Sequence, residues 1–312
     1  MVTCCLTDTK MNTHIDQTYS FPSPAKLNLF LHVVGQRNDG YHELETLFQF
    51  INHCDTITIT VTDNKEIELL TPIKGVKNED NLIIKAARLL QQNIKASSPT
   101  YGAKISIEKV LPMGGGLGGG SSNAATILVA LNTLWRSNFT NTELAEMGLT
   151  LGADVPIFIH GFSAFAQGVG EKLTPSTPKE CWYLVTKPEV SISTGSVFTS
   201  PNLPRNTPKI STNDFNRYYK DNELFLDEIY HNDCQSMVIK HYFEVAKLLA
   251  WLIEYAPSRM TGTGACIFSR FSSQQEACEL QAKLPKGISS FVAQGLNTSP
   301  LCSVIERLIS SN

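Results

Sequence analysis

The chain has 312 residues, 26 Lys plus Arg against 29 Asp plus Glu, a formal charge of −3, 42% hydrophobic and 18% charged residues. That length suits two ordinary domains and buries enough surface to need no disulfide or metal staple. The composition excludes extended disorder and argues against a nucleic-acid partner, because phosphate backbones are gripped by clustered positive charge.

Residues 1–20 carry Asp8, Lys10 and Asp16 but no apolar run and no Arg, so they read as neither secretory signal nor transit peptide. They are expected to be a frayed extension. From Ala25 to Val34 apolar and other residues alternate, a strand pattern, and Arg37-Asn38-Asp39-Gly40 supplies a turn. His42–Phe50 and Thr56–Val61 read as returning strands. Asp80 or Asn81 can cap a helix with Leu82, Ile83, Ala86, Leu89 and Leu90 on one face. Lys104–Val110 is a further short strand before Pro112 and a run of glycines.

Val110–Trp135 holds no charged residue, long enough for a membrane span, yet six of the seven residues from Gly114 to Gly120 are Gly. Glycine at that density opposes a membrane helix, and only the part from about Ser121 to Trp135 reads as helical. Thr140 and Glu143 have capping-box spacing for the next helix, which closes near Gly152. Beyond Ala166 prolines crowd a loop-rich stretch containing the strand Trp182–Thr186. A helix is predicted over His241–Tyr255, a Gly-rich strand over Thr261–Phe268, and a closing helix and strand over Gln274–Leu284 and Ile288–Gln294. The organisation predicted is two α+β domains: residues 21–165 and 166–312, after the extension of residues 1–20.

The eight cysteines, apart from the adjacent Cys4 and Cys5, are scattered without Cys-x-x-Cys spacing. A reducing, cytoplasmic setting is the simplest reading. The seven histidines form no His-x-x-x-His pair that would preform a transition-metal site.

The most informative segment is Leu111-Pro-Met-Gly-Gly-Gly-Leu-Gly-Gly-Gly-Ser-Ser122. Consecutive glycines let backbone N–H groups converge without Cβ atoms in the way, and the helix that follows adds the positive end of its dipole. Flanked by an apolar strand and an apolar helix, this is a phosphate site rather than a linker. No Lys follows the glycines as a Walker loop requires, and no acidic residue follows at dinucleotide-fold spacing. Ser121 and Ser122 can cap the helix, touch phosphate or ligate magnesium.

Two charges stand in apolar surroundings. Lys26, with Asn28 on the same strand face, is either an edge-strand gatekeeper or a cation aimed into a cleft. Asp154, in Gly152-Ala-Asp-Val-Pro156, is either a helix cap or a carboxylate that takes a proton from a hydroxyl. Phosphoryl transfer needs a phosphate cradle, a metal, a base and a cation, and candidates for every protein part are present.

Pro24-Ala-Lys-Leu-Asn-Leu29, the loop Pro112–Ser122, Leu151-Gly-Ala-Asp-Val-Pro156 and Thr261-Gly-Thr-Gly-Ala265 resemble, in order and spacing, the motif set of the GHMP small-molecule kinases. The resemblance implies an N-terminal nucleotide-binding domain, a ferredoxin-like C-terminal domain and an active site in the cleft between them. Arg37-Asn-Asp-Gly-Tyr-His-Glu-Leu44, Thr46-Leu-Phe48 and Tyr255–Gly264 resemble one branch in particular. That branch uses ATP with Mg2+ to phosphorylate the 2-hydroxyl of 4-diphosphocytidyl-2-C-methyl-D-erythritol, an isoprenoid precursor of the non-mevalonate route. A GHMP-type kinase for homoserine, mevalonate or a sugar is the alternative.

By the same resemblance Asp154 is the base, and Lys26 orients it and offsets charge on the reacting oxygen. Asn28 and His42 match substrate-binding positions, with Tyr41, Phe48 and Val169 near the cytosine, and Phe198 and Thr194 following from the Pro-rich stretch. Asn81 and Lys109 match the adenosine side; Pro112, Met113, Gly114, Gly115, Gly116, Leu117, Gly118, Gly119, Gly120, Ser121 and Ser122 would surround the phosphates. Metal ligands and oligomeric state stay open, and neither a membrane nor a nucleic acid is implied as a partner.

Overall fold

The computed structural model describes residues 14–95, 100–210 and 229–311; residues 1–13 of the expected extension, with Cys4 and Cys5, lie outside them. Two long antiparallel strands organise the chain, β1 (Thr18–Gln36) and β2 (His42–Thr62), joined by the turn at residues 37–41. The first strand therefore begins inside the segment expected to fray, because Thr18 and Ser20 pair with Thr60 and Thr58 and bond them hydroxyl to hydroxyl. The two stretches expected as separate returning strands are one strand, continuous through Asn52, His53, Cys54 and Asp55.

The other edge of β2 is shared by three strands. Residues 56–62 pair with β4 (Gly102–Glu108), residues 44–48 with β5 (Ala164–Gly168), and Ile51 and Phe50 with the end of β10 (Ser289–Leu296). β3 (Ile67–Leu69) lies parallel beside β4, and β6 (Lys172–Pro175) beyond β5. β10 continues into a second antiparallel layer with β7 (Trp182–Lys187), β9 (Ile267–Phe271) and β8 (Ser258–Met260). One strand near the C-terminus thus stitches both halves into a single sheet.

Three apolar cores follow from this plan. One packs β2 and β4 against the helices Leu82–Asn93 and Gly119–Leu134. A second joins the halves, with Ala25, Leu27 and Leu29 of β1 against Tyr183, Val185 and Phe268. A third lies under the helices Asp233–His241 and Phe243–Ile253. Register shifts in β1 after Pro24 and after Asn28 bend the strand where its cleft-facing residues sit, a common use of β-bulges.

Several expectations need correction. The helix expected over His241–Tyr255 is broken at Tyr242, and the preceding helix, capped by the Asn232 side chain on Cys234 N, was not foreseen. Residues 261–266 form a turn between β8 and β9 rather than a strand, since two glycines there, Gly262 and Gly264, adopt positive φ. The chain does not end on β10: the helix Pro300–Ser310, capped by Ser299, packs Leu301 back into the first core. β6 pairs with β5 at the edge of the first half of the sheet.

Candidate active site

Lys26 stands on β1 with its side chain buried, only 2% exposed. Burying an ammonium is tolerable when its protons are shared among acceptors. Its Nζ donates to Asn28 Oδ1 and to Gly116 O at 3.1 Å, lies 3.4 Å from Asp154 Oδ2, and sits 5.2 Å from the centre of the Phe48 ring. A solvated edge-strand lysine has none of these partners, so the gatekeeper reading does not hold. Asn28 is fixed in turn: its Nδ2 donates to Thr46 Oγ1, and its backbone N–H to Thr261 Oγ1.

Asp154 precedes the short helix Val155–His160 but makes no capping hydrogen bond to it. Its carboxylate is turned toward Lys26 and the open volume instead, and is about one-third exposed (34%). The capping role that was the plain alternative is therefore not the one the side chain plays.

The glycine loop lies between these two groups and the second half of the chain. Its carbonyls point into protein: Gly114 and Gly115 accept from Ala265 N and Cys266 N, Gly116 from Lys26 Nζ, and Leu117 from Lys26 N. The helix Gly119–Leu134 then begins with no side-chain cap, so its first N–H donors face the cleft. Gly118 is left-handed at φ +72°, and a Cβ there would come within 2.8 Å of Phe158 and 3.1 Å of Lys26 Cε. Glycine is thus required by both conformation and space. Lys109 reaches the same helix start, its Nζ held 2.6 Å from Asp55 Oδ2 and 3.2 Å from Leu111 O.

All of these groups line one cleft of about 1060 Å³. At the end expected to take adenosine, Asn81 caps its helix through Oδ1 on Ile83 N, while its buried Nδ2 has no partner among the described residues. A buried amide left without an acceptor costs free energy, and an incoming acceptor removes that cost. Ile73 and Val76 supply apolar wall beside it. At the opposite end His42 and Phe198 stack at 5.1 Å with an angle of 29° between the rings, and Tyr41 stands 62% exposed at the rim. Thr194 and Phe198 share one face of the short helix Thr194–Phe198, and Thr194 bonds Thr263 across the cleft wall at 3.1 Å.

The structure brings every expected site residue to this cleft except Ser122. Ser122 is fully buried and its hydroxyl bonds Ser23 at 2.9 Å, so its side chain serves the interior and, of the two serines, only Ser121 lines the cleft. Phe48, expected near the base, lines the cleft as a buried ring beside the Lys26 ammonium. Two residues were missed. Asp55 is fully buried and accepts from Lys109 Nζ, Val110 N, Leu111 N and Asn123 Nδ2. Arg205 bonds His42. A carboxylate between Cys54 and the β-branched run Thr56–Val61 was a readable signal for the first; a lone Arg among prolines was none for the second.

No cluster of three His, Cys, Asp or Glu suited to a metal is present among the described residues, and no described helix is long and apolar enough to cross a membrane.

A kinase of small molecules is what this combination of fold and cleft defines, and the comparisons agree. The family models described as GHMP kinases N terminal domain and GHMP kinases C terminal match residues 81–162 and 214–289. The chain belongs to the GHMP kinases. It is 67% identical to the 4-diphosphocytidyl-2-C-methyl-D-erythritol kinase of Colwellia psychrerythraea over 95% of this chain and 96% of that protein. It is 57% identical to the kinase of the same name from Aliivibrio fischeri, over 94% and 97%. The crystal structure of a 4-(cytidine 5'-diphospho)-2C-methyl-D-erythritol kinase superposes with a TM-score of 0.76 at 27% identity, covering 89% of this chain and 99% of that one. The Methanococcus jannaschii mevalonate kinase, at 17% identity and a TM-score of 0.60 over 90% and 99%, shares the fold.

Proposed function

We propose that the protein transfers the γ-phosphoryl group of ATP to the 2-hydroxyl of 4-diphosphocytidyl-2-C-methyl-D-erythritol. The observation that carries the reading is the Lys26–Asp154 pair, set at 3.4 Å beside an uncapped helix N-terminus in the same cleft as the His42–Phe198 stack. The reacting groups and a platform for a flat base thus occupy two ends of one volume. The 67% identity to a kinase bearing that substrate's name supports the choice of acceptor.

The residues fit a nucleotide. The unpaired Asn81 Nδ2 suits an acceptor on the adenosine, and the glycine cradle, whose carbonyls from Gly114 to Gly118 accept hydrogen bonds from protein, offers donors to an anion. When bound, ATP would supply the phosphoryl group, and Mg2+ accompanying it would offset the charge of its phosphates. Ser121 and Lys109 line that end.

Asp154 accepts the hydroxyl proton as the oxygen attacks, and Lys26 holds the carboxylate in place while its charge offsets the charge developing on oxygen. Asn28 fixes the third direction of the ammonium, so Lys26 cannot follow the carboxylate away. His42, Tyr41 and Phe198 hold the base, with Val169 beside them, and this anchors a flexible polyol so that one hydroxyl meets Asp154. An acceptor panel tests the reading: the cytidylylated polyol, homoserine, mevalonate and galactose, each with Mg-ATP. Turnover confined to the first is the expected result, and preference for any other acceptor overturns it.

A further inference from the structure

Arg205 lies outside the motifs that define the family resemblance, yet it is the most fully engaged side chain at the base-binding end of the cleft. One of its terminal amino groups donates to Leu203 O at 3.0 Å, the other to Phe198 O at 3.1 Å and Ser200 O at 2.8 Å. Its Nε donates to His42 Nε2 at 3.1 Å. The guanidinium therefore ties the segment that carries Phe198 to the histidine on which Phe198 stacks.

A guanidinium donates only and stays protonated at any ordinary pH. A ring nitrogen that receives its N–H must present a lone pair. His42 is then neutral, with its proton on Nδ1. Burial, and then the Arg205 charge, hold its pKa below the usual histidine value, which favours the same neutral form. The Nδ1–H has no partner among the described residues, and the ring lines the cleft.

We propose that Arg205 is a positioning residue for nucleobase choice: by occupying His42 Nε2 it locks the imidazole as an Nδ1–H donor that accepts cytosine and rejects uracil. The chemistry is one of matching edges. Both bases offer O2 as an acceptor, but N3 is a lone pair in cytosine and an N–H in uracil, so the partner proposed for the Nδ1–H is N3. An unconstrained neutral histidine exchanges tautomers and can accept from the uracil hydrogen; one held by a permanent donor on its other nitrogen cannot. A site built to donate rejects a ligand that also donates, since two buried groups are then left unpaired. This inference rests on the reading that the cytidine end of the substrate lies at His42 and Phe198.

The test has two independent arms. In the first, 15N NMR of histidine-labelled wild-type protein reads the tautomer directly. The expected signature for His42, assigned with His42→Gln, is a protonated Nδ1 and a lone-pair Nε2 near neutral pH. A protonated Nε2 overturns the proposal whatever the substrate proves to be. In the second arm, Arg205→Met and Arg205→Lys are assayed with the cytidylylated substrate and its uridylylated analogue. Arg205→Met is expected to raise KM for the cytidine compound roughly tenfold with kcat nearly unchanged, and to cut the cytidine-over-uridine ratio in kcat/KM by roughly tenfold. Arg205→Lys, which keeps a permanent donor, should recover part of that ratio. If Arg205→Met is folded, as its circular dichroism reports, and discriminates as wild type does, the proposal is wrong. Failure of wild type on both compounds would instead strike the substrate assignment, with the first arm still deciding the tautomer.

Discussion

Replacing Asp55 with asparagine swaps one carboxylate oxygen for an amide nitrogen at a fully buried point where four donors converge. Oδ1 accepts from Val110 N and Leu111 N, each at 2.8 Å; Oδ2 accepts from Lys109 Nζ at 2.6 Å and Asn123 Nδ2 at 3.0 Å. Whichever way the amide turns, two donors face a third donor. The milder orientation keeps both backbone bonds and sets the amide nitrogen against Lys109 and Asn123. Asn123 is buried, so its lost bond costs about 1–3 kcal/mol. Lys109 is 22% exposed on its side chain and can be partly rehydrated, which keeps its share at roughly 1.5–3 kcal/mol. The sum, about 2.5–6 kcal/mol, brackets the roughly 3–5 kcal/mol usual for breaking a buried ion pair from one side. Most domains have about 5–15 kcal/mol to lose, so the variant should remain folded in the cold. Urea unfolding read by tryptophan fluorescence measures the loss. Because Lys109 is the group released, KM for ATP should rise with it while KM for the acceptor holds. A loss below about 1 kcal/mol together with an unchanged KM for ATP would refute the idea that Asp55 sets the position of Lys109.

Three further outcomes are expected. Gly118→Ala should lower kcat/KM at least roughly tenfold, since the new methyl meets Phe158 and the Lys26 stem and must also adopt φ +72°. Gly287→Ala, at φ +87° with nothing nearby, carries the same backbone strain of about 1–2 kcal/mol and serves as the control that keeps full activity. Phe198→Ala should raise KM for the cytidylylated substrate by roughly tenfold or more with kcat little changed, as loss of a base-stacking ring costs about 1–3 kcal/mol. Burial, then the charge of neighbouring His231, pushes the pKa of His32 down to about 4. The unfolded chain then binds a proton that the folded one does not, between about pH 6.5 and 4, so stability falls as pH drops through that window. Thermal melts at pH 7 and pH 5 should differ less in His32→Phe than in wild type; an equal difference would remove His32 from the explanation.

Much of the site was legible because its chemistry is written in short contiguous motifs. The glycine run, Asp154 between apolar neighbours, and Asn81 at the head of an apolar helix all line the one cleft, and Asn81 caps its helix as its local sequence implied. What local sequence does not carry is which way a side chain turns. Ser121 and Ser122 are adjacent and equally plausible, yet on a helix adjacent residues point about 100° apart, and Ser122 faces Ser23. Long-range pairing was hidden for the same reason: Arg205 meets His42 across 163 residues, and Asp55 meets Asn123 across 68. The last helix had a readable start in Ser299-Pro300, a cap followed by a first-turn proline, but its apolar face gains meaning only against β1 and the helix Gly119–Leu134. The turn at residues 261–266 reads as strand by composition; its hydrogen bonds to the glycine loop, from Ala265 N and Cys266 N, are what hold it as a loop.

The central claim is that Asp154, held by Lys26, takes the proton from the 2-hydroxyl of 4-diphosphocytidyl-2-C-methyl-D-erythritol during phosphoryl transfer. ADP release with Mg-ATP and that substrate, wild type beside Asp154→Asn, tests it most directly. Substrate-dependent release that falls by roughly 10²–10⁴-fold in a folded variant with unchanged ATP affinity is the expected result. A variant that keeps wild-type turnover, or one whose turnover is lost only because ATP no longer binds, would contradict it.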